Sequence, residues 1–222
     1  MQEITDYLRL LADLHATELT RERLAELQAI NFPATEGLSQ PITDSELDAL
    51  ATDFADIYLN GSYHTSPNES VWLDDEELVC QQPMFDVREW YARHGLEAPN
   101  WRKMADDHLV NQLLFIAFLL DKAAADNTPL LLEEIATFMD EHLLRWLLPF
   151  TKRVAEHCET AFYAYLGLLT STYADKLRDM LAEILGSPRP SHEEVETRMK
   201  ARQRAAIQPQ PMQYYPGTAP SW

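Results

Sequence analysis

Apolar side chains in the last third of this chain recur every three or four residues over a long stretch. This spacing places them along one side of an α-helix. Gly186 and Pro188 follow the repeat, as is typical of a helix end. We therefore predict a helix over residues 160–185 that is long enough to organise a bundle. The members of the repeat are Phe162, Leu166, Leu169, Tyr173, Leu177, Met180 and Ile184.

The same period predicts helices along most of the chain. Thr43 with Glu46, and Ser191 with Glu194, have the form of capping boxes, in which side chains satisfy the first free backbone N–H groups. The other predicted helices cover residues 2–16, 20–29, 43–60, 85–94 and 129–147, the last ended by Pro149. A further predicted helix begins at Asp106 or Asp107, and its middle, residues 113–120, is apolar on every face and is therefore expected to be buried all round. The chain has only 6 glycines, and β-rich proteins need more for their turns.

These patterns predict an all-α protein. We expect a single helical bundle over residues 1–187 and a C-terminal appendage over residues 188–222. The bundle contains an irregular insertion at residues 62–84, with at most a short extended piece at 70–73.

The appendage is expected to begin with a polar helix over residues 191–206. Residues 207–222 lack charged side chains and contain four prolines, which predicts an extended or disordered tail.

Charge restricts the partners. The chain carries 36 acidic and 18 basic side chains, a formal net charge of -18. Between Arg23 and Arg88 there are thirteen acidic residues and no Lys or Arg. This field disfavours nucleic acid and anionic membranes and favours basic partners. No apolar run is long enough to cross a membrane, and the N-terminus lacks a basic export signal, so we expect a cytoplasmic protein with Cys80 and Cys158 as reduced thiols.

Motifs for catalysis are weak. The sequence contains neither a nucleophile elbow nor a phosphate-binding glycine loop, and no catalytic residue is nominated. His108 and His142, with the acids beside them, leave a metal-dependent hydrolase open as an alternative. The more ordinary interpretation of His142 is a core histidine. A structural adaptor is a further alternative.

Aromatic residues accompany the acidic stretch. Tyr58, Tyr63 and Trp72 lie in or beside the irregular insertion, together with Glu69. Aromatic rings next to charge of one sign suit a peptide that is both basic and apolar. Protein binding is therefore the favoured function.

The chain resembles the TorD/DmsD-type chaperones of molybdenum-dependent redox enzymes. The resemblance rests on several short segments that follow one another at compatible spacing. They are residues 53–59 (DFADIYL), 66–74 (SPNESVWLD), 87–91 (VREWY), 94–96 (HGL), 107–109 (DHL) and 138–146 (FMDEHLLRW), followed by Pro149 and Phe150.

The resemblance implies a cytoplasmic chaperone without catalytic chemistry or a cofactor of its own. Such proteins bind the twin-arginine leader, and often the body, of an apo-reductase. They delay export until the molybdenum cofactor has been inserted. Relatives can exchange helices between protomers, so a homodimer is an open alternative.

The resemblance also implies binding residues. Trp72 would be an apolar anchor or would instead cap the core. Glu69 is a candidate from the acidic stretch itself, as an acid that would meet a basic peptide. Asp107 would pair with an arginine or cap its own helix, and His108 would hydrogen-bond beside it. Tyr91 and Tyr58 are further candidates that could equally be core residues.

Overall fold

The computed structural model describes residues 2–99, 103–126 and 128–207, and within these ranges it contains helices and no β-strand. The all-α prediction is therefore confirmed. The helices are α1 (Gln2–Ala16), α2 (Arg21–Ala29), α3 (Asp44–Phe54), α4 (Glu69–Leu73), α5 (Gln82–Arg93), α6 (Leu109–Asp126), α7 (Pro129–Phe138), α8 (Leu144–His157), α9 (Ala161–Leu185) and α10 (His192–Ile207). Short 3₁₀ turns form at Pro33–Thr35 and Ser62–His64, and π-helical turns at Ala55–Leu59 and Met139–Leu143.

Local sequence signals set several helix ends. The Thr43 hydroxyl accepts a hydrogen bond from the Glu46 N–H, and the Glu46 carboxylate accepts one from the Thr43 N–H. Ser191 and Glu194 form the same reciprocal pair before α10. Gly186 ends α9 in the left-handed region at φ 61°, which a residue without Cβ adopts without strain. The bounds predicted for α1 and α9 are confirmed to within a residue.

The core is built around α6. This helix packs against α1 and α7, while α8 and α9 run along each other. Leu113, Ile116 and Leu120 of α6 are closed off from solvent. Leu114 is exposed, however, so one side of α6 reaches the surface and the prediction of a helix buried all round is wrong. The helix also begins at Leu109, later than Asp106 or Asp107.

The insertion at residues 62–84 is more ordered than predicted. Residues 69–73 form α4 where an extended piece was expected, and α5 begins at Gln82 with Pro83 in its first turn. A proline is tolerated there because its missing N–H has no partner inside the helix. The cap that starts α4 comes from a distant part of the chain, which a local sequence pattern does not reveal.

Pro149 does not end its helix. α7 continues through the π-helical turn Met139–Leu143 into α8, and Pro149 lies inside α8. A proline inside a helix costs about 3 kcal/mol. Trp146 and Phe150 of α8 are fully buried, and each such burial contributes about 1.5–3 kcal/mol or more. Burial therefore offsets the lost hydrogen bond, and the predicted helix end was wrong.

Helices α8 and α9 approach closely at a glycine. A Cβ placed on Gly167 of α9 would lie 3.3 Å from the Cβ of Thr151 on α8. Thr151 is itself fully buried. The absence of a side chain at Gly167 is thus what allows the two helices to come together at this level.

The chain divides into two compact units, with the boundary between Arg189 and Pro190. None of the described helices is both long and apolar enough to cross a membrane. Ile207 belongs to α10, so the predicted tail does not start there. Residues 208–222, which make up the rest of that prediction, lie outside the described residues.

Candidate peptide-binding site

Trp72, on α4, is the predicted site residue that best combines an apolar ring with access to the surface. Its indole Nε1 donates a hydrogen bond to the Ser66 carbonyl oxygen over 2.9 Å. Its ring meets Phe150 edge-on, with the ring centroids 6.2 Å apart. The side chain is half-buried. The indole is thus fixed at one end and on one side while part of its surface remains accessible.

A surface cavity of about 430 Å³ opens beside Trp72. This volume is in the range of small-ligand sites, so it can hold an amino-acid side chain. Carboxylates outnumber cations around the cavity, which favours a cationic group over an anion. The lining residues are His64, Val71, Trp72, Leu73, Asp74, Asp75, Glu77 and Arg153.

Arg153 of α8 is held at the edge of this cavity. Its Nη1 donates to the Tyr63 carbonyl oxygen over 3.4 Å, and its Nε lies 3.9 Å from the Glu156 carboxylate. Its charge is thus partly engaged by these neighbours. The carboxylates of Asp74, Asp75 and Glu77 lie on the exposed turn that follows α4.

The connection before α4 has an unusual backbone. Tyr63 and His64 adopt positive φ values of 56° and 57°, next to Gly61 at 59°. Left-handed conformations are uncommon for residues with a Cβ and cluster at functional sites. Tyr63 stacks on His157, with ring centroids 4.9 Å apart and planes within 7°, and remains largely exposed. The residue whose carbonyl oxygen accepts from Arg153 at the edge of the cavity thus carries a second accessible aromatic ring.

Asp107 lies in the interior, against the start of α4. Its Oδ2 accepts hydrogen bonds from the Ser70 N–H at 2.8 Å and from the Ser70 hydroxyl at 2.6 Å. Burial raises the pKa of this carboxyl to about 6, although its bonds to Ser70 act in the opposite direction. The carboxylate is closed off from solvent. It caps α4 from 37 residues away, and this contact replaces the expected cap on its own helix.

His108 is also buried. Its Nδ1 accepts a hydrogen bond from the Val110 N–H over 3.2 Å, and burial lowers the pKa of the imidazole to about 4. Its backbone forms an antiparallel bridge with Asn68. The Leu109 N–H donates to the Pro67 carbonyl at 2.8 Å, and the Glu69 N–H to the Asp107 carbonyl at 3.2 Å. The segment before α6 is thereby tied to the segment before α4.

Glu69 is the first residue of α4 and is fully buried. Its Oε1 lies 2.9 Å from Nδ1 of His142, and His142 belongs to the second π-helical turn, Met139–Leu143. Its Oε2 accepts from Gln112 Nε2 at 2.7 Å, and the same amide also donates to the Asp107 carbonyl oxygen at 3.2 Å. A polar cluster of Glu69, Ser70, Asp107, Gln112 and His142 therefore joins α4, the start of α6 and the turn between α7 and α8.

Tyr91 closes the neighbouring side of this region. Its hydroxyl donates to the Asp106 carbonyl oxygen over 2.9 Å, and the ring is buried. The Asp106 carboxylate accepts from Arg88 Nε at 3.2 Å and from Nη2 at 2.7 Å. Asp106 is therefore already paired with an arginine of the chain itself, Arg88. The sequence had predicted a pairing with a partner's arginine for the next residue, Asp107.

Tyr58 belongs to a separate cluster. Its hydroxyl lies 2.5 Å from the Nδ1 of His15, whose Nε2 lies 2.9 Å from the Thr170 hydroxyl. The Thr170 hydroxyl donates to the Leu166 carbonyl, so it accepts from Nε2–H, and Nδ1 accepts from the tyrosine. Burial lowers the pKa of His15 to about 3, which fits this neutral tautomer.

All six predicted binding residues make hydrogen bonds within the protein. Glu69, Asp107 and Tyr91 are buried throughout, so direct contact with a docked peptide would require local opening. Sequence reasoning missed the roles of Arg153 and Gln112, which belong to helices far along the chain from Trp72 and carry no local signal.

The metal hypothesis finds little support in this geometry. His108 and His142 each direct Nδ1 to a protein group. Within the described ranges, no group of three or more His, Cys, Asp and Glu side chains could hold a metal ion. His142 is fully buried with Nδ1 paired, as expected of a core histidine.

Comparison with known proteins gives a consistent result. The sequence model of the family described as "Nitrate reductase delta subunit" matches residues 16–152. "Chaperone protein TorD" of Vibrio vulnificus (strain CMCP6) is 29% identical over 177 residues, covering 69% of this chain and 82% of that protein. "Chaperone protein TorD" of Vibrio cholerae serotype O1 (strain ATCC 39541 / Classical Ogawa 395 / O395) is 28% identical over 188 residues, covering 82% and 81%.

A third relative widens the range of organisms. "Chaperone protein TorD" of Psychrobacter sp. (strain PRwf-1) is 28% identical over 187 residues, covering 72% of this chain and 82% of that protein. The family match spans more than half of the 222 residues, and the relatives align over most of their own length. The three relatives are chaperones of the TorD type. The chain itself therefore belongs to the nitrate reductase delta subunit family.

Proposed function

We propose that this protein is a cytoplasmic chaperone that binds the twin-arginine leader, and the body, of an apo-molybdoenzyme. It acts by binding, without catalysis or a cofactor of its own, and delays export until the molybdenum cofactor has been inserted. The observation that carries the proposal is the acid-lined cavity beside Trp72 in a member of this chaperone family.

Two kinds of contact support leader binding. A twin-arginine leader has a cationic end and an apolar stretch. The turn after α4 offers three carboxylates at the cavity, and accessible indole and phenol rings lie nearby at Trp72 and Tyr63. Burial of the leader's apolar stretch against these rings stabilises the complex by about 25 cal/mol for each Å² of apolar surface removed from water. The arginines meet the acidic surface, whose attraction is screened by salt.

The buried candidates take a supporting role in this proposal. Trp72 is the contact residue, because its ring is accessible. Glu69, Asp107, His108 and Tyr91 hold the elements around it through the internal hydrogen bonds described above, whereas Tyr58 belongs to the separate cluster with His15. This assignment differs from the direct arginine contact that the resemblance implied for Asp107.

Calorimetry with a synthetic twin-arginine leader tests the proposal. We expect micromolar or tighter binding that weakens, but persists, when salt is raised to about 0.5 M. Shortening the apolar stretch should reduce the affinity more than changing both arginines to lysine, because lysine keeps the charge and loses only the fork geometry.

The matched protein variants are Trp72→Ala and Tyr165→Ala. Tyr165 is an exposed aromatic residue of α9 and serves as the control. Trp72→Ala should weaken leader binding by about tenfold or more, as expected of an aromatic anchor, while Tyr165→Ala should leave it unchanged. A folded protein that binds no such leader would refute the leader-chaperone function.

The alternative functions have separate tests. A metal-dependent hydrolase using His108 and His142 predicts stoichiometric metal in the purified protein, whereas the chaperone predicts none. A structural adaptor predicts equal affinity for leaders with and without the twin arginines. A homodimer stays a prediction, and sedimentation of the full chain tests it.

A further inference from the structure

Helix α4 is too short to hold its own position. It has five residues, and its N-cap residue Asn68 makes no capping bond with its side chain. An isolated helix of this length is unstable in water, because nucleation fixes several residues for the first hydrogen bond. The placement of Trp72, the fourth residue of α4, therefore depends on contacts made by the rest of the protein.

Trp72 itself bonds to Ser66 and meets the ring of Phe150. Three further polar attachments act on the first two residues of the helix or just before them. Asp107 caps the Ser70 N–H and binds its hydroxyl. Gln112 and His142 hold the two carboxylate oxygens of Glu69. The backbone before α4 pairs with the backbone before α6.

The attachments are inaccessible to a partner. Glu69, Ser70, Asp107, Gln112 and His142 each expose 1% or less of their surface. Beyond Ser70, the remainder of α4 is partly exposed, and the acidic turn after it lies largely at the surface. The buried end of α4 is thus clamped, while its partly exposed end carries Trp72 and leads into the acidic turn at the cavity.

We propose that Asp107, Gln112 and His142 are positioning residues, which set the affinity for the peptide by holding α4 and never touch the peptide themselves. This inference rests on the proposed function for its binding consequence. The clamp itself is a property of the free protein and is tested independently of any ligand.

Hydrogen exchange of the free protein, followed by mass spectrometry over residues 69–74, tests the clamp. Asp107→Ala removes two hydrogen bonds to Ser70, and we expect exchange of this segment to rise by about tenfold. Ser70→Ala, which removes only the hydroxyl contact, should give a smaller rise. Thr43→Ala removes the cap of α3 instead and is the control, for which the segment should exchange as in the wild type.

Asp107→Asn separates positioning from direct contact with an arginine. Asparagine caps a helix about as well as aspartate but cannot form an ion pair. If Asp107 acts by positioning α4, the leader affinity of Asp107→Asn should stay within about twofold of the wild type, and that of Asp107→Ala should fall by about tenfold. Direct contact predicts that both variants lose affinity to a similar extent.

A double-mutant cycle completes the test. In a Trp72→Ala background, Asp107→Ala should have little further effect on leader affinity, because the anchor that it positions is absent. Additive losses, or unchanged exchange of residues 69–74 in both Asp107→Ala and Ser70→Ala, would overturn the clamp. If the wild type binds no leader, the proposed function fails, while the exchange result still decides whether α4 is clamped.

Discussion

The Glu69 carboxylate and the His142 imidazole meet 2.9 Å apart in the interior, and each exposes only 1% of its side chain. The two residues are separated by 73 positions in the chain. Their pairing fixes the first residue of α4 to the π-helical turn between α7 and α8. Because neither group is solvated, Glu69 Oε1 and His142 Nδ1 satisfy each other.

Removing the carboxylate should therefore be costly. Glu69→Ala leaves the His142 Nδ1 without its partner and removes one of the two acceptors of the Gln112 amide. Losing one partner of a buried pair typically costs about 3–5 kcal/mol. Glu69→Gln keeps an acceptor and should cost about 1–2 kcal/mol. Urea unfolding measures both. The control is Glu26→Ala, at an exposed ion pair with Arg23, which should change stability by less than about 1 kcal/mol; an equal loss at both sites would contradict the prediction.

A second buried pair joins α9 to the same π-helical turn. Arg178 binds Asp140 through two parallel hydrogen bonds, Nε to Oδ1 at 2.9 Å and Nη2 to Oδ2 at 2.8 Å. Arg178→Lys keeps the charge but loses the fork, and we expect it to lower the free energy of unfolding by about 1–3 kcal/mol. Arg189, which pairs with Asp175 and Asp179 at the surface, is the control. Arg189→Lys should change stability by less than about 0.5 kcal/mol, and thermal unfolding of the two variants compares them.

Stability should fall in mild acid. His15 and His108 have folded-state pKa values lowered to about 3 and about 4, so between pH 4 and 6.5 they take up protons on unfolding. Asp107, with its pKa raised to about 6, opposes them, because in the same window it holds a proton when folded and releases it on unfolding. Together these three groups make the unfolded state bind about one more proton between pH 4 and 6. Their contribution to the free energy of unfolding should then rise by about 1.4 kcal/mol for each unit by which the pH rises.

Two variants dissect this pH dependence in opposite directions. His15→Gln removes one proton-binding group from the unfolded chain and should flatten the slope. Asp107→Asn removes the opposing carboxyl and should steepen it by about 1 kcal/mol per pH unit. Urea unfolding at pH 4, 5 and 6 measures the three slopes. A slope that Asp107→Asn leaves unchanged would show that this carboxyl is not protonated in the folded protein at pH 5.

The close approach at Gly167 gives a prediction about packing. Gly167→Leu would push α9 against Thr151, whose Cβ would lie 3.3 Å from the new Cβ. Overpacking of this kind costs about 1–3 kcal/mol or more. Thr172→Leu places the same side chain on the exposed side of α9 and should change stability by less than about 0.5 kcal/mol. Similar melting temperatures for the two variants would contradict a tight contact between α8 and α9.

Local sequence signals predicted the long helices because their causes are local. The capping pair Thr43–Glu46, the terminal Gly186 and the stripe of α9 all act within a few residues. The helix end predicted at Pro149 was wrong, because tertiary burial of the neighbouring residues offsets the free-energy cost of a proline inside a helix.

The candidate site was less predictable, because its contacts join residues that lie far apart in the chain. Trp72 and the acidic turn were recognisable from residue type, and the cavity beside them is lined by both. Asp107 and Glu69 were recognisable as notable residues but were assigned to a partner. Their hydrogen-bond partners Ser70 and His142 lie 37 and 73 residues away, and spacing along the chain does not show which distant groups meet.

The remote attachment of α4 bears on when the protein becomes competent during synthesis. Trp72 leaves the ribosome early, but the residues that hold its helix follow later, with Asp107 next and His142 only once α7 has been made. A nascent chain that ends before His142 therefore has the aromatic anchor without the framework that orients it. Under the proposed function, competence to bind a leader would appear only when most of the bundle has been translated and folded, so an unfinished chain would not compete for leaders with a finished one.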